Sequence, residues 1–210
     1  MNQPKINNLK FDSLFEGAVK CLRNAQELCD ESELLHNNGK YARSFALSHF
    51  AREELGKSFM LFRALVDISS GVKVDWKKLN RRFRDHKQKL LNDAEISLFI
   101  AAKELQRQEI SPDFLFSGIN ERNSLKNRCL YTDWNNGRFT VPSEAITEQQ
   151  SERNLSLAIC RVAMFSPLLV NLKGLKCEQK DKIIESYPES MPSSPEELLD
   201  AVLGKESNNE

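Results

Sequence analysis

Apolar residues recur every three or four positions along three long stretches of this chain, which is the spacing of helices that each bury one face. The first stretch predicts a helix from about Asp12 to Leu35. The second predicts a helix from near Lys40 that closes at residues 69–71. Only Asn37-Asn38-Gly39 separates the two, so an antiparallel helical hairpin is the simplest arrangement. The first stripe consists of Phe11, Leu14, Phe15, Ala18, Leu22, Ala25 and Cys29.

The third stretch predicts one continuous helix that opens near Asp75 and runs past Leu105. Its stripe steps seven residues from Phe83 to Leu90, and the position between them is occupied by His86. We therefore expect this polar residue to face either the core or an interface.

Two further segments complete the predicted bundle. An Asn-Gly pair between aromatic flanks favours a small β-hairpin or an ordered loop at 130–139. A fourth helix is expected from about Ser143 towards Val170, with Pro167 kinking or ending it. The aromatic side chains of 130–139 suit either stacking on nucleic-acid bases or packing over the end of the bundle, which is the expected arrangement; they are Tyr131, Trp134 and Phe139.

The fold class is therefore all-α, a bundle of four or five helices with a small irregular or hairpin insertion. Residues 1–10 form a polar segment, and residues 11–204 form one domain with its core at 11–170. A capping box at 194–197 predicts a short C-terminal helix at 195–203, and the polar tail at 205–210 is expected to be disordered.

Composition narrows the function classes. Thirty basic and thirty acidic side chains cancel, so there is no global field to attract nucleic acid or a membrane, and any basic surface must be local. The five cysteines form an odd number without CxxC spacing, which fits reduced thiols in the cytoplasm. Their places on or beside apolar stripes favour buried structural thiols over nucleophiles. We expect no membrane span, no metal and no cofactor.

A histidine and two carboxylates on the second helix form the first candidate constellation. His49 and Glu53 lie four residues apart, a spacing that can seat a metal, but a carboxylate-bridged bundle site needs Glu-x-x-His elsewhere and the chain has none. A solvated charged face with a pair from Glu53 to Lys57 is the alternative that we favour.

The local positive patch lies at residues 81–89, which hold six basic side chains including His86. Histidine can move a proton near neutral pH, and arginine can grip a phosphate with a planar fork. Together they suit metal-independent cleavage of RNA, in which a 2′-hydroxyl is deprotonated and attacks the adjacent phosphorus. A solvated basic face beside one satisfied core histidine is the structural alternative.

Several segments in order resemble AbiV-type abortive-infection proteins over roughly Phe11 to Leu169. They are Asn24-Ala25-x-x-Leu28, Gly39-Lys40-Tyr41-Ala42, Arg52-Glu53-Glu54-Leu55-Gly56-Lys57, Asp85-His86-Lys87-x-Lys89, and Arg128-Cys129-Leu130-Tyr131-Thr132-Asp133 before Gly137 and Pro142. The resemblance implies a member of the HEPN superfamily, whose helical bundles commonly dimerise and often act as ribonucleases in phage defence and toxin–antitoxin systems.

The superfamily signature, an arginine followed four to six residues later by histidine, is matched by Arg81 and His86. On a continuous helix Arg81 lies about 140° around the axis from His86, whereas Arg82 shares its face. Three solutions stay open: a helix that begins within the motif, a phosphate-binding role for Arg82, or a dimer whose two copies share one cleft.

The resemblance implies an antiphage effector that impairs translation, a possible metal-independent endoribonuclease acting on RNA as a homodimer, with a phage protein as activator or target. His86 and Arg81 would be catalytic; Arg82, Lys87 and Lys89 would contact nucleic acid; Glu53, Glu54 and Lys57 would support the site. The alternative is a non-catalytic helical protein that captures a phage protein or nucleic acid and blocks translation.

Overall fold

A computed structural model describes residues 6–105, 119–135 and 137–174, and it shows an all-α bundle with one small hairpin. Within these residues six helices, one 3₁₀ turn and two strands follow one another. They are α1 (Phe11–Asn37), α2 (Tyr41–Ser69), α3 (Trp76–Arg84), α4 (His86–Leu105), α5 (Ile119–Arg128), β1 (Asp133–Asn135), β2 (Arg138–Thr140), the 3₁₀ turn (Pro142–Glu144) and α6 (Glu148–Gly174). The predicted helix at 195–203 and tail at 205–210 lie outside the described residues.

The predicted hairpin of α1 and α2 is confirmed. Gly39 joins the two helices with a positive φ of 70°, a conformation that a residue without a side chain adopts at little cost. Most residues of α2 are buried, because this helix packs against α1, α4 and α6. Its aromatic rings meet α6 in the core, where Phe59 and Phe62 contact Phe165 edge to face at centroid distances of 5.7 and 5.5 Å.

The prediction of one continuous third helix is wrong, because the chain breaks at Asp85. This residue is extended (φ −89°, ψ 115°), and its carboxylate accepts hydrogen bonds from the backbone N–H groups of Lys87 and Gln88. Asp85 is thus the N-cap of α4. His86 is the first residue of that helix and not a mid-helix member of an apolar stripe.

The last helix begins later than predicted. Pro142–Glu144 form the 3₁₀ turn, and α6 starts at Glu148 after Thr147 and Gln150 exchange capping hydrogen bonds. Pro167 does not end α6, which continues to Gly174.

Close contact between α2 and α4 depends on Gly56. A Cβ at this position would lie 1.9 Å from the backbone oxygen of Lys89, so any side chain would push the two helices apart. The glycine of the Glu-Glu-x-Gly-Lys segment therefore brings α4 against α2 at the level of Glu53 and His86.

The hairpin at 133–140 is a two-stranded antiparallel ribbon with Trp134 opposite Phe139. Gly137 has φ 80°, as a tight hairpin turn requires. The expected packing of the aromatic residues over the bundle is wrong. Tyr131, Trp134 and Phe139 are 67%, 61% and 72% exposed, because the ribbon projects away from the helices.

One described helix, spanning Glu148–Leu172, is long and apolar enough to cross a membrane by length and composition alone. It packs on α1 and α2 and buries Asn154 and Arg161 among polar partners. These contacts are typical of a core helix in a soluble bundle.

Candidate functional site

Glu53 is the centre of a charged cluster where α2, α4 and α5 meet. Its side chain is only 4% exposed. Lys89 of α4 donates a hydrogen bond to Oε2 at 2.7 Å, and Lys126 of α5 donates one to Oε1 at 3.0 Å. We call Glu53, His86, Lys89, Lys126 and His49 the Glu53 cluster. Because two lysines surround one carboxylate, the Glu53 cluster carries a net positive charge even when both of its histidines are neutral.

His86 links this buried carboxylate to the surface. Its Nδ1 lies 2.7 Å from Glu53 Oε2 and 2.8 Å from Oε1, while its side chain is 52% exposed. An ionised carboxylate only accepts hydrogen bonds, so Nδ1 carries the hydrogen and Nε2 is the free ring nitrogen of the neutral side chain. The contact therefore sets both the orientation and the tautomer of His86.

His49 forms the buried floor of the cluster. It is fully buried, and its Nε2 lies 3.5 Å from Glu53 Oε1, too far for a good hydrogen bond. Burial lowers the pKa of His49, with Glu53 opposing and Arg52 assisting that shift. The imidazole of His49 is therefore neutral near pH 7.

Glu53 stays ionised in spite of its burial. Desolvation alone would raise its pKa, but the contacts from His49, Lys89 and Lys126 outweigh this effect and hold the pKa of Glu53 well below its usual range. A permanent negative charge therefore faces His86.

A second charged network lies deeper, between α2, α4 and α6. Asp93 accepts from Arg52 Nε at 2.9 Å and pairs with Arg161, while Arg52 also donates to Asn154 Oδ1 at 2.7 Å. These four residues, the Asp93 network, are at most 5% exposed. They join three helices and offer no side chain to solvent.

The two arginines of the signature lie apart. Arg81 is exposed on α3 and lines a surface groove of about 530 Å³ with Trp76, Asn80 and Arg84. Arg82 turns inward, where its Nη2 donates to Asn92 Oδ1 at 3.0 Å. Burial lowers the pKa of Arg82, and the nearby charge of Arg63 adds to the shift. No hydrogen bond between either arginine and His86 occurs in the part of the chain that the structure describes.

The remaining predicted residues divide between the surface and the interior. Lys87 is exposed, whereas Lys89 is buried against Glu53. Glu54, the residue after Glu53, forms an ion pair with Lys57, which lies one turn further along α2, and both side chains are half-buried. The expected solvated face with a pair from Glu53 to Lys57 is wrong, since Glu53 and His49 point into the bundle and the partner of Lys57 is Glu54.

No group of three or more metal-binding side chains exists within residues 6–105, 119–135 and 137–174. Burial raises the pKa of the Cys21 thiol to about 11 and the pKa values of Cys29 and Cys129 to about 12. These thiols are protonated near neutral pH, as structural cysteines are. The expectation of burial is wrong for Cys160, which lies exposed on α6.

The family model of AbiV proteins of the HEPN superfamily matches residues 13–161. The chain belongs to the AbiV family. Neither a curated protein nor a solved structure gives a significant match. Membership indicates a function of the abortive-infection or HEPN type. The matched range runs from the first turn of α1, through α2 to α5 and the hairpin, to the middle of α6.

Sequence reasoning missed Lys126 and the Asp93 network. Lys126 lies 73 residues from Glu53, and no local pattern joins them. The helix break did have a signal, since Asp85 followed by Gln88 three residues later is the pattern of a capped helix start. The hydrophobic stripe on either side of His86 hid it.

Proposed function

We propose that this AbiV-family chain is a cytoplasmic antiphage effector that cleaves RNA without a metal ion and thereby impairs translation. The observation that carries the proposal is the 2.7 Å contact between His86 Nδ1 and the buried Glu53 carboxylate. A carboxylate that orients a half-exposed imidazole is the arrangement of a general base or acid.

In the proposed reaction, His86 Nε2 takes the proton of a ribose 2′-hydroxyl. The 2′-oxygen then forms a bond to the adjacent phosphorus while the bond from phosphorus to the 5′-oxygen breaks. The leaving 5′-oxygen takes a proton from water, and the proton on His86 Nε2 passes to the resulting hydroxide. The products are a 2′,3′-cyclic phosphate and a 5′-hydroxyl. The excess positive charge of Lys89 and Lys126 over Glu53 favours an anionic phosphate beside His86.

The phosphate ligand follows from the helix break. Because α3 ends at Arg84 and α4 begins at His86, the angle calculated for one continuous helix no longer separates Arg81 from His86. Arg82 is engaged with Asn92, whereas Arg81 is exposed and able to reach a phosphate. We therefore assign the phosphate-binding role to Arg81 and a further nucleic-acid contact to the exposed Lys87.

A homodimer is part of this proposal. A second copy facing His86 would enclose the phosphate and add its own exposed basic side chains to the cleft. Light scattering tests this point directly, since a strict monomer would remove the second half of the shared cleft. A phage protein is the proposed activator or target.

A second candidate function is supported by the lack of a hydrogen bond between His86 and either Arg81 or Arg82 in the described part of the chain. A helical protein that binds a phage protein or nucleic acid and blocks translation needs no arginine at the histidine. The two functions differ in their dependence on the imidazole, because binding alone does not require proton transfer.

The deciding experiment incubates purified chain with tRNA and total RNA in EDTA, beside His86→Ala. Cleavage that leaves 2′,3′-cyclic phosphate ends and disappears in the variant supports the enzyme. Protection of cells from phage by folded His86→Ala would contradict the catalytic assignment and favour the binding protein.

A further inference from the structure

Three aromatic rings beside the bundle are exposed to solvent. Tyr131, Trp134 and Phe139, here called the ring platform, are each more than 60% exposed. Every other aromatic side chain whose burial the structure describes is buried or partly buried. Exposed apolar surface is unfavourable in water, so a cluster of large exposed rings indicates a binding site.

The hairpin places two rings of the platform side by side. Trp134 and Phe139 are cross-strand partners, and their rings meet edge to face with centroids 5.0 Å apart. The chain before the hairpin is anchored by buried Cys129 and by a hydrogen bond from Arg43 to the backbone oxygen of Leu130. Trp134 and Phe139 therefore lie next to each other at the surface, and the chain that leads to them is attached to the bundle.

The surroundings of the platform are basic, although the whole chain is neutral. Residues 127–143 contain two basic side chains, Arg128 and Arg138, and a single acidic one, Asp133, whose carboxylate accepts the backbone N–H of Trp134. At the base of the hairpin, Lys40 and Arg43 line a groove of about 300 Å³ together with Pro142 and Ser143. Flat rings next to a cationic groove suit a polyanion that carries aromatic bases.

The platform is also joined to the Glu53 cluster. Lys126 of α5 donates to Glu53, the carboxylate that holds His86, and the first ring of the platform follows only five residues later at Tyr131. A strand bound at the hairpin is thereby held to the helix that contributes to the His86 site.

We infer that the ring platform binds unpaired bases of single-stranded RNA by stacking, with its phosphates running past Lys40, Arg43 and Arg138. Double-stranded RNA keeps its bases stacked inside the helix and presents none of them to Trp134. The inference rests on the proposed function, because it takes RNA as the ligand, and it adds that the substrate is an unpaired segment such as a loop or an end.

Tryptophan fluorescence tests this inference, since the chain has two tryptophans and Trp76→Phe leaves Trp134 alone. All measurements use the His86→Ala, Trp76→Phe double variant, so that the strand is not cut. The probes are an oligouridine about ten nucleotides long, a base-free strand of the same length, and a fully paired duplex. We expect the oligouridine to quench Trp134 and the other two probes to leave its emission unchanged.

Affinity is measured in parallel by fluorescence anisotropy of a labelled strand. Trp134→Ala should weaken binding about 5-fold to 150-fold, which corresponds to the loss of one stacked base. Trp134→Phe should retain most of the affinity. Leu34→Ala is the matched control, because Leu34 is an apolar side chain on α1 that is 66% exposed and should not matter.

The outcomes separate the platform from the proposed function. Oligouridine binding without quenching, or with equal affinity in Trp134→Ala, would overturn the platform and leave RNA cleavage standing. Quenching by the oligouridine in a chain whose wild type cuts no RNA would support the platform and contradict the enzyme. Equal quenching by the base-free strand or by the duplex would show that Trp134 senses phosphate binding and not base stacking, and would overturn the inference.

Discussion

The Glu53 cluster and the Asp93 network start from neighbouring residues of α2 but differ in what they expose. Arg52 turns towards α4 and α6, where Asp93, Arg161 and Asn154 surround it away from solvent. Glu53, the next residue, turns towards α5 and the start of α4, where its contacts end at a half-exposed histidine. One network closes on itself, and the other ends at the surface.

This difference separates a structural use of buried charge from a functional one. Burial of an ion pair costs desolvation energy. Removal of one partner destabilises the protein by more than the intact pair stabilised it, because the other charge stays buried without a partner. The Asp93 network needs no ligand to explain it, because its charges join three helices. In the Glu53 cluster one member, His86, remains accessible to a substrate, and it is there that we place the chemistry.

The largest effect on stability is expected from Asp93→Ala. The change leaves the guanidinium groups of Arg52 and Arg161 buried without their carboxylate, which should cost about 3–5 kcal/mol of unfolding free energy. Urea unfolding followed by circular dichroism measures it. A loss below about 1 kcal/mol would show that Asp93 is not the structural anchor described here.

Glu53→Gln should lower the unfolding free energy, because Lys89 and Lys126 stay buried without their carboxylate, and should also slow the reaction of the folded protein. The amide keeps the shape of the side chain but removes the charge that faces His86, so the rate of RNA cleavage should fall about 10- to 100-fold. Single-turnover cleavage at equal folded concentration measures this. Glu54→Gln is the matched control, because this neighbouring carboxylate pairs with Lys57 away from His86. Equal losses in both variants would contradict the role given to Glu53.

Gly56→Ala tests whether the helix crossing positions the site. The new Cβ would collide with the backbone oxygen of Lys89, so α4 must shift, at a cost of about 1–3 kcal/mol. Because His86 lies on the same helix, RNA cleavage should fall together with the melting temperature. Full activity at a lowered melting temperature would show that the crossing of α2 and α4 stabilises the fold but does not position His86.

The smallest effect concerns pH. Because burial lowers the pKa of His49, the folded chain leaves it neutral where the unfolded chain, with a value of 6.5, already binds a proton. This difference in proton binding lowers the unfolding free energy as pH falls below about 6.5, by at most about 1.4 kcal/mol per pH unit. Glu53, whose pKa is lowered, reduces the unfolding free energy only below about pH 4.5, where the unfolded chain binds a proton before the folded chain does.

The variant His49→Gln should therefore flatten the decrease in unfolding free energy between pH 7 and about 5.5. Thermal unfolding at several pH values gives the slopes. If wild type and variant decrease in parallel, the buried His49 is not the titrating group.

The fold followed from the sequence where one helix face is apolar. The apolar stripes of α1 and α2 predicted both helices and their connection, because a helix that buries one face places its apolar residues about 3.6 residues apart. The same reasoning failed at Asp85. A stripe can continue across a helix break when both helices bury the same side, so the apolar pattern alone did not reveal the N-cap at Asp85.

The site was only half predictable. Glu53 and His86 were both chosen from the sequence, but their contact spans 33 residues and depends on α4 crossing α2 at Gly56. Lys126 could not be found, since a lone lysine on a short polar helix looks like an ordinary surface residue. Exposure of the ring platform was also hidden, because a pattern of aromatic residues does not show whether a hairpin folds back or projects.

RNA cleavage by His86→Ala in EDTA, measured together with the unfolding free energy of the variant, shows whether His86 transfers the proton. The variant should cleave RNA at least about 100-fold more slowly than the wild type, and its unfolding free energy should change by less than about 1 kcal/mol because the side chain is half exposed. Cleavage at the wild-type rate by the folded variant would contradict the assignment of His86 as the proton-transfer residue held by Glu53.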